Sequence, residues 1–141
     1  PAVSGLLTYS GDLGAGEEHH SCAHHGGILT RSDRLQTVNR MHLNLLKHLL
    51  NLLKSNNILN DTLVLYGTDM NDGNLHTTNN IPTLLCGGGN DLKFGQDVTL
   101  PNSTPYTRLL LSILSLYGVN LSSLGEGDMT TSGNINSSLS T

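Results

Sequence analysis

Residues 62–66, with the sequence TLVLY, limit most strongly what this chain can fold into. They form an almost unbroken apolar run of strand length that ends at Gly67. Continuous apolar character is typical of a strand covered on both faces, as in a parallel sheet between helices. A polar loop over residues 68–80 and a second short strand over residues 82–86 follow. The three glycines at 87–89 then predict a structural turn.

Two helices are predicted around these strands. From residue 32 to 54 leucines recur at helical spacing, with Lys47 and Lys54 on the other side, and Ser32 is the predicted N-cap. A second helix is predicted from Pro105, capped by Thr104, to Tyr117, before Gly118. Residues 1–10 are expected to be extended, residues 11–30 a loop and residues 125–141 an irregular tail. The order of these elements predicts an α/β layer fold.

Composition excludes some classes of protein. The net charge is −4, and the seven Lys and Arg residues are scattered, so we expect no nucleic-acid partner. The apolar runs are too short for a membrane span. Leu, Asn, Ser and Thr account for 71 of the 141 residues, and there is no Trp. Such a narrow alphabet leaves open whether every residue identity is genuine, and mass spectrometry of peptides would decide.

Histidines concentrate near the start of the chain. The stretch HHSCAHH, residues 19–25, holds four of the seven histidines. If residues 20–24 form a helical turn, His20 and His24 share a face and can hold one metal ion. The alternative is a set of surface histidines. Cys22 could be a further ligand or could form a disulfide with Cys86, and the sequence alone does not decide between them.

A second group of polar side chains follows the predicted strand at residues 62–66. The loop GTDMNDGNLH, residues 67–76, carries Asp69, Asp72 and His76. Carboxylate oxygen and imidazole nitrogen together suit a divalent ion such as zinc. The alternative is an Asx-turn loop, in which Asp69 and Asp72 accept hydrogen bonds from their own backbone. Combined with the histidine tract, the loop favours a metal centre.

These motifs carry a resemblance. The segments HHSCAHH, GTDMNDGNLH, IPTLLCGGG and DLKFG resemble those of an uncharacterised family of exported bacterial proteins within the alkaline phosphatase and sulfatase superfamily. The similarity spans roughly residues 17–118. It implies a partial alkaline-phosphatase-like three-layer sandwich with a mainly parallel sheet. Residues 1–124 would be the C-terminal portion of that domain.

The resemblance also implies a site and a function. It implies four metal ligands: His20, His24, Asp69 and His76. Met70 stands where the superfamily has a ligating histidine, and a thioether is a poor ligand for zinc, so the site is altered. The implied function is metal-dependent hydrolysis of a phosphate or sulfate ester. The alternative is a non-catalytic, metal-stabilised structural or binding subunit.

Whether the chain is an enzyme stays open at this point, because the superfamily's nucleophile lies in an N-terminal half that this sequence does not include. The expected partners are the ester and either the remaining N-terminal part or other subunits. The resemblance also implies a location in the periplasm or outside the cell.

Overall fold

The computed structural model describes residues 19–89, 92–102, 104–126 and 130–139. The extended start predicted over residues 1–10 lies outside them. Four helices and two pairs of short strands are formed in these ranges: α1 (His19–Ala23), α2 (Leu29–Ser55), β1 (Leu63–Gly67), β2 (Thr83–Gly87), α3 (Tyr106–Leu116), β3 (Ser123–Leu124), β4 (Thr131–Ser132) and α4 (Asn136–Leu139).

The prediction of a mainly parallel sheet in a three-layer sandwich is wrong. β1 pairs antiparallel with β2, with Leu65 opposite Leu85, and β3 pairs antiparallel with β4. No parallel pair occurs in the part of the chain that the structure describes. Parallel neighbours need a long crossover, usually a helix, whereas residues 68–82 contain no helix, so the chain simply reverses. Leu65 and Leu84 are 40% and 46% exposed, so the hairpin is not covered on both faces.

The helix α2 spans 27 residues and is about 40 Å long at 1.5 Å per residue. It begins at Leu29 rather than near residue 32, so Ser32 is not its N-cap. Gly26 and Gly27, at φ 57° and 79°, separate α1 from α2, and the helix starts almost directly after them. Its predicted end is confirmed: the last helical residue is Ser55, and the Asn56 N–H donates to the Leu52 carbonyl.

The helix α3 lies beside β1. The Leu63 N–H donates to the hydroxyl oxygen of Tyr117, the C-cap residue of α3, at 3.3 Å. Pro105 precedes the helix as its N-cap instead of opening it, and Gly118, at φ 77°, follows its end as predicted. The Ser112 hydroxyl, fully buried on α3, donates to the Arg108 carbonyl and accepts from the Ile135 N–H at 2.8 Å. Segment 130–139 is thereby fixed to α3.

Glycine is required at the end of β2, opposite the first residue of β1. Gly87 has φ +78°, and a Cβ atom there would lie 2.2 Å from the Thr62 carbonyl oxygen and 2.6 Å from that of Leu59. The neighbouring Gly88 N–H donates to the same Leu59 carbonyl. These glycines therefore let β2 end against the backbone that leads into β1, which fits the structural turn predicted for them.

The buried apolar side chains of the described residues are few: Cys22, Val38, Leu46, Leu92, Leu109, Leu111 and Ile135. Part of the predicted irregular tail is regular, because β4 and α4 fall within it. The division of the chain at residue 124 stays a prediction. Among the described helices, none combines the length and apolar character that crossing a bilayer requires.

Candidate functional site

The helix α1 places two histidines one turn apart. The His24 N–H donates to the His20 carbonyl at 3.0 Å, as in a helical turn. The two imidazole rings lie with centroids 4.6 Å apart and planes inclined by 57°. Cys22, between them in sequence, is fully buried. The helical turn thus places Cys22 in the interior, whereas His20 is exposed and His24 is half-buried.

The loop after β1 is shaped by its own aspartate. The Asp72 carboxylate accepts the N–H groups of Asn74 and Leu75 at 2.8 and 3.1 Å, which is the Asx-turn geometry predicted as the alternative. Two backbone hydrogen bonds then close the loop, from Asn71 to the Thr77 carbonyl and from Thr77 back to that of Asp72. His76 lies inside this closed turn at φ 54°, in the left-handed region.

The loop docks on the end of α1. The Gly26 N–H donates to the Asn74 side-chain carbonyl at 2.9 Å. Gly73 lies against Ala23 so closely that an added Cβ would be 3.0 Å from the Ala23 Cβ. Two small residues and one amide thus let two segments about 50 residues apart in sequence approach each other.

This docking brings three imidazoles together, which we call the histidine cluster: His20, His24 and His76. The Nε2 atoms of His24 and His76 are 3.1 Å apart, and their rings meet edge to face with centroids at 4.6 Å. A hydrogen bond between two imidazole nitrogens needs one donor and one acceptor. The pair therefore requires that at least one of the two rings be neutral.

Local electrostatics favour neutral rings. Desolvation lowers the pKa of His24 below its ordinary value, and the positive charges that His20 and His76 could carry lower it further. The pKa of His19 is also lowered, first by desolvation and then by His42 and His20, while Asp69 acts in the opposite direction. A neutral imidazole offers a nitrogen lone pair, so the cluster can act as a metal ligand or proton acceptor near neutral pH.

Only three of the four predicted ligands lie together in the structure. It brings His20, His24 and His76 into contact with their neighbours in the cluster, whereas Asp69 is exposed and acts electrostatically on His19. Met70 is half-buried, and its carbonyl accepts a hydrogen bond from the Thr68 hydroxyl. Cys22 and Cys86 both belong to the described residues, and no disulfide joins them.

The description of the chain as an alkaline-phosphatase-like metal-binding protein needs correction. The parallel sheet that would position such a centre is missing from the described residues. Within those same ranges, no group of three or more His, Cys, Asp or Glu side chains is arranged to hold a metal ion. A preformed multi-ligand centre of the superfamily's kind is therefore not present there.

Sequence reasoning did not predict one contact between α1 and α2. The ring centroid of His42, on α2, lies 6.2 Å from that of His19. Sequence reasoning also missed the contact between Gly73 and Ala23. The small size of both residues was the available signal, but only the fold shows that they face each other.

Comparison of the chain with protein-family models, with curated proteins and with solved structures found no match. The family resemblance stays a prediction, as do the ester substrate and the exported location that it implied. The site can therefore be interpreted only from its own geometry.

Proposed function

We propose that this chain is a non-catalytic binding module that takes up a divalent transition-metal ion, zinc first, between the imidazoles of His24 and His76. The ion would tie α1 to the loop over residues 68–82, which already touch. Zinc is the favoured ion because it accepts imidazole nitrogen readily and has no rigid geometric preference.

The single observation that carries this proposal is the separation of 3.1 Å between the two Nε2 atoms. Two nitrogens bound tetrahedrally to one zinc ion at about 2.0–2.1 Å lie roughly 3.3 Å apart. The apposed ring nitrogens are thus already near the spacing of two ligands. Little rearrangement of the backbone is needed, because the loop is closed by its own hydrogen bonds.

The neighbouring residues support neutral ligands. Desolvation, and after it the charges that His20 and His76 could carry, lower the pKa of His24, and a neutral ring is the state that binds metal. Two imidazoles leave coordination positions for water, which is consistent with the absence of a preformed group of three or more ligands in the described ranges. His20 is therefore assigned an electrostatic role in this proposal and is not a ligand.

Ester hydrolysis is not part of the proposal. That activity was implied only by the resemblance, and the parallel sheet that the resemblance also implied is absent from the described residues. No observation at the histidine cluster favours a phosphate or sulfate ester over any other ligand.

Calorimetric titration of the whole chain with zinc chloride tests the proposal. We expect one ion per chain, and we expect His24→Ala and His76→Ala each to weaken binding by more than about tenfold, since even outer-shell changes cost about 10–100-fold. His20→Ala should weaken binding less than either. His48→Ala, which removes an exposed histidine of α2 outside the cluster, is the matched control.

Cobalt provides a second measurement. If the two imidazoles bind the ion, the visible absorption bands of bound Co²⁺ should be lost in His24→Ala and His76→Ala and kept in His48→Ala. Equal loss of affinity in all variants would indicate diffuse binding to surface histidines. That result, or the absence of saturable binding, would refute the proposal.

A further inference from the structure

The C-terminal half of α2 presents an apolar face that the described residues leave exposed. We call it the leucine face and define it as Leu45, Leu49 and Leu52 of α2 with Leu65 of β1. These side chains are 60%, 44%, 48% and 40% exposed. Leu45, Leu49 and Leu65 line a groove of about 350 Å³ between α2 and β1, together with His42, Leu46, Val64 and Tyr66. Scattered exposed leucines are ordinary, but a continuous face beside a groove marks an interaction site.

The spacing along the helix indicates what kind of partner fits. Leu45 and Leu52 continue the seven-residue series begun by Val38, and Leu49 lies in the series of Leu35 and His42. Alternating steps of three and four residues form the seam of a coiled coil, whose natural complement is another helix with the same repeat. In the first half of α2 this seam is covered, because Val38 is fully buried. In the second half it is exposed.

The lack of charged residues around the leucine face indicates which partner helix fits it. Between His42 and Leu53, Lys47 is the only Lys, Arg, Asp or Glu, and it lies about 200° around the helix from Leu45. An uncharged face can meet an identical face without like-charge repulsion, whereas a highly charged partner would find no complementary group there. The net charge of −4 also works against an anionic lipid surface.

We propose that the leucine face is a self-association surface, on which a second copy of this chain packs its own α2 around a two-fold axis. Leucines of one copy enter the groove between α2 and β1 of the other. A two-fold arrangement is self-complementary, so one patch serves both partners. This proposal does not depend on metal binding, because the leucine face lies outside the histidine cluster.

Sedimentation equilibrium of the whole chain in EDTA tests this proposal without interference from metal-bridged histidines. We expect a concentration-dependent rise from the chain mass of 15.0 kDa to twice that value. The variant with both Leu45→Glu and Leu49→Glu should remain monomeric, with its dimer dissociation constant raised by at least tenfold and its helical circular dichroism unchanged. Leu49→Ala, which preserves helix propensity, should weaken the dimer to a smaller extent.

Leu43→Glu is the matched control. Leu43 is on the same helix and is 46% exposed, close to the 44% of Leu49, but it lies off the seam. It should dimerise like the wild-type chain. A wild-type chain that stays monomeric would overturn the proposal, as would equal dissociation in Leu43→Glu.

Two alternative occupants would show themselves in the same experiments. If a monomeric wild-type chain co-floats with phosphatidylcholine–phosphatidylglycerol vesicles, the surface binds membranes and the proposal fails. If the Leu45→Glu and Leu49→Glu variant loses its helical signal at concentrations where the wild-type chain is monomeric, another part of the same chain covers the face. That result would also overturn the proposal.

Discussion

The two halves of α2 carry the same apolar repeat but meet different surroundings. In the N-terminal half, α1 packs against the helix and Val38 is fully buried. In the C-terminal half, Leu45 occupies the equivalent position seven residues later and is 60% exposed. The comparison teaches that a repeat specifies which face of a helix is apolar, whereas neighbouring elements decide whether that face is covered.

The largest difference in stability is expected when a negative charge is placed at either of the two equivalent positions, Val38 and Leu45. Val38→Asp buries a carboxylate without a designed partner, so we expect the free energy of unfolding to fall by at least about 3 kcal/mol. Leu45→Asp should cost only about 0.5 kcal/mol, the difference in helix propensity. Urea denaturation at low protein concentration, where self-association does not contribute, measures both.

Similar losses at the two positions would contradict this comparison. They would mean that Leu45 is as well covered as Val38 in solution. The burial of Val38 and the exposure of Leu45 would then not describe the chain on its own.

The loop over residues 68–82 docks on α1, which in turn packs against α2. Gly73→Ala adds a Cβ about 3.0 Å from the Ala23 Cβ, and neither atom can rotate away. We expect a loss of about 1 kcal/mol in the free energy of unfolding, at the low end of overpacking costs. Urea denaturation measures this loss.

A double-mutant cycle of Gly73→Ala with Ala23→Gly measures the coupling energy between the two positions. Ala23→Gly removes the Cβ atom that the new Cβ at residue 73 would meet. Combined with Gly73→Ala, it should recover at least about 0.5 kcal/mol relative to the sum of the two single changes. Strict additivity would show that the loop and α1 do not touch at this point.

The local parts of the fold were predictable, and its topology was not. The end of α2 at Ser55, the stop at Gly118 and the positions of β1 and β2 to within one residue follow from turn residues and apolar runs. The direction of the strand pair does not, since an apolar run records burial and not the direction of the neighbouring strand. Leu65, in such a run, is nevertheless 40% exposed.

In the candidate site, too, the local structure was predictable and the long-range contacts were not. A helical turn that sets His20 beside His24 could be anticipated from a spacing of four residues. The meeting of His24 with His76 depends on contacts far apart in sequence, such as the hydrogen bond from Gly26 to Asn74. A single sequence carries no direct record of such pairs. The loop sequence itself predicted His76 as a possible ligand, and the resemblance grouped it with His20 and His24. It did so with a parallel sheet that the described residues do not contain.

The smallest expected effect concerns the pH dependence of stability in the metal-free chain. Because the pKa of His24 is lower in the folded state than its ordinary 6.5, the unfolded state binds more protons between the two values. The stability that neutral His24 contributes is present above pH 6.5 and is lost as the pH falls through the lowered pKa. His24→Gln should remove this increment and flatten the profile below pH 6.5.

Urea midpoints between pH 5 and 8 in EDTA measure that profile, with His48→Gln as the control outside the cluster. His24 lies where α1 meets the loop over residues 68–82. The acid-induced loss of stability should therefore come from separation of these two segments. An unchanged profile in His24→Gln would mean that acid sensitivity, if present, originates elsewhere. A profile altered equally by His48→Gln would assign it to the histidine content of the surface and not to the contact between His24 and His76.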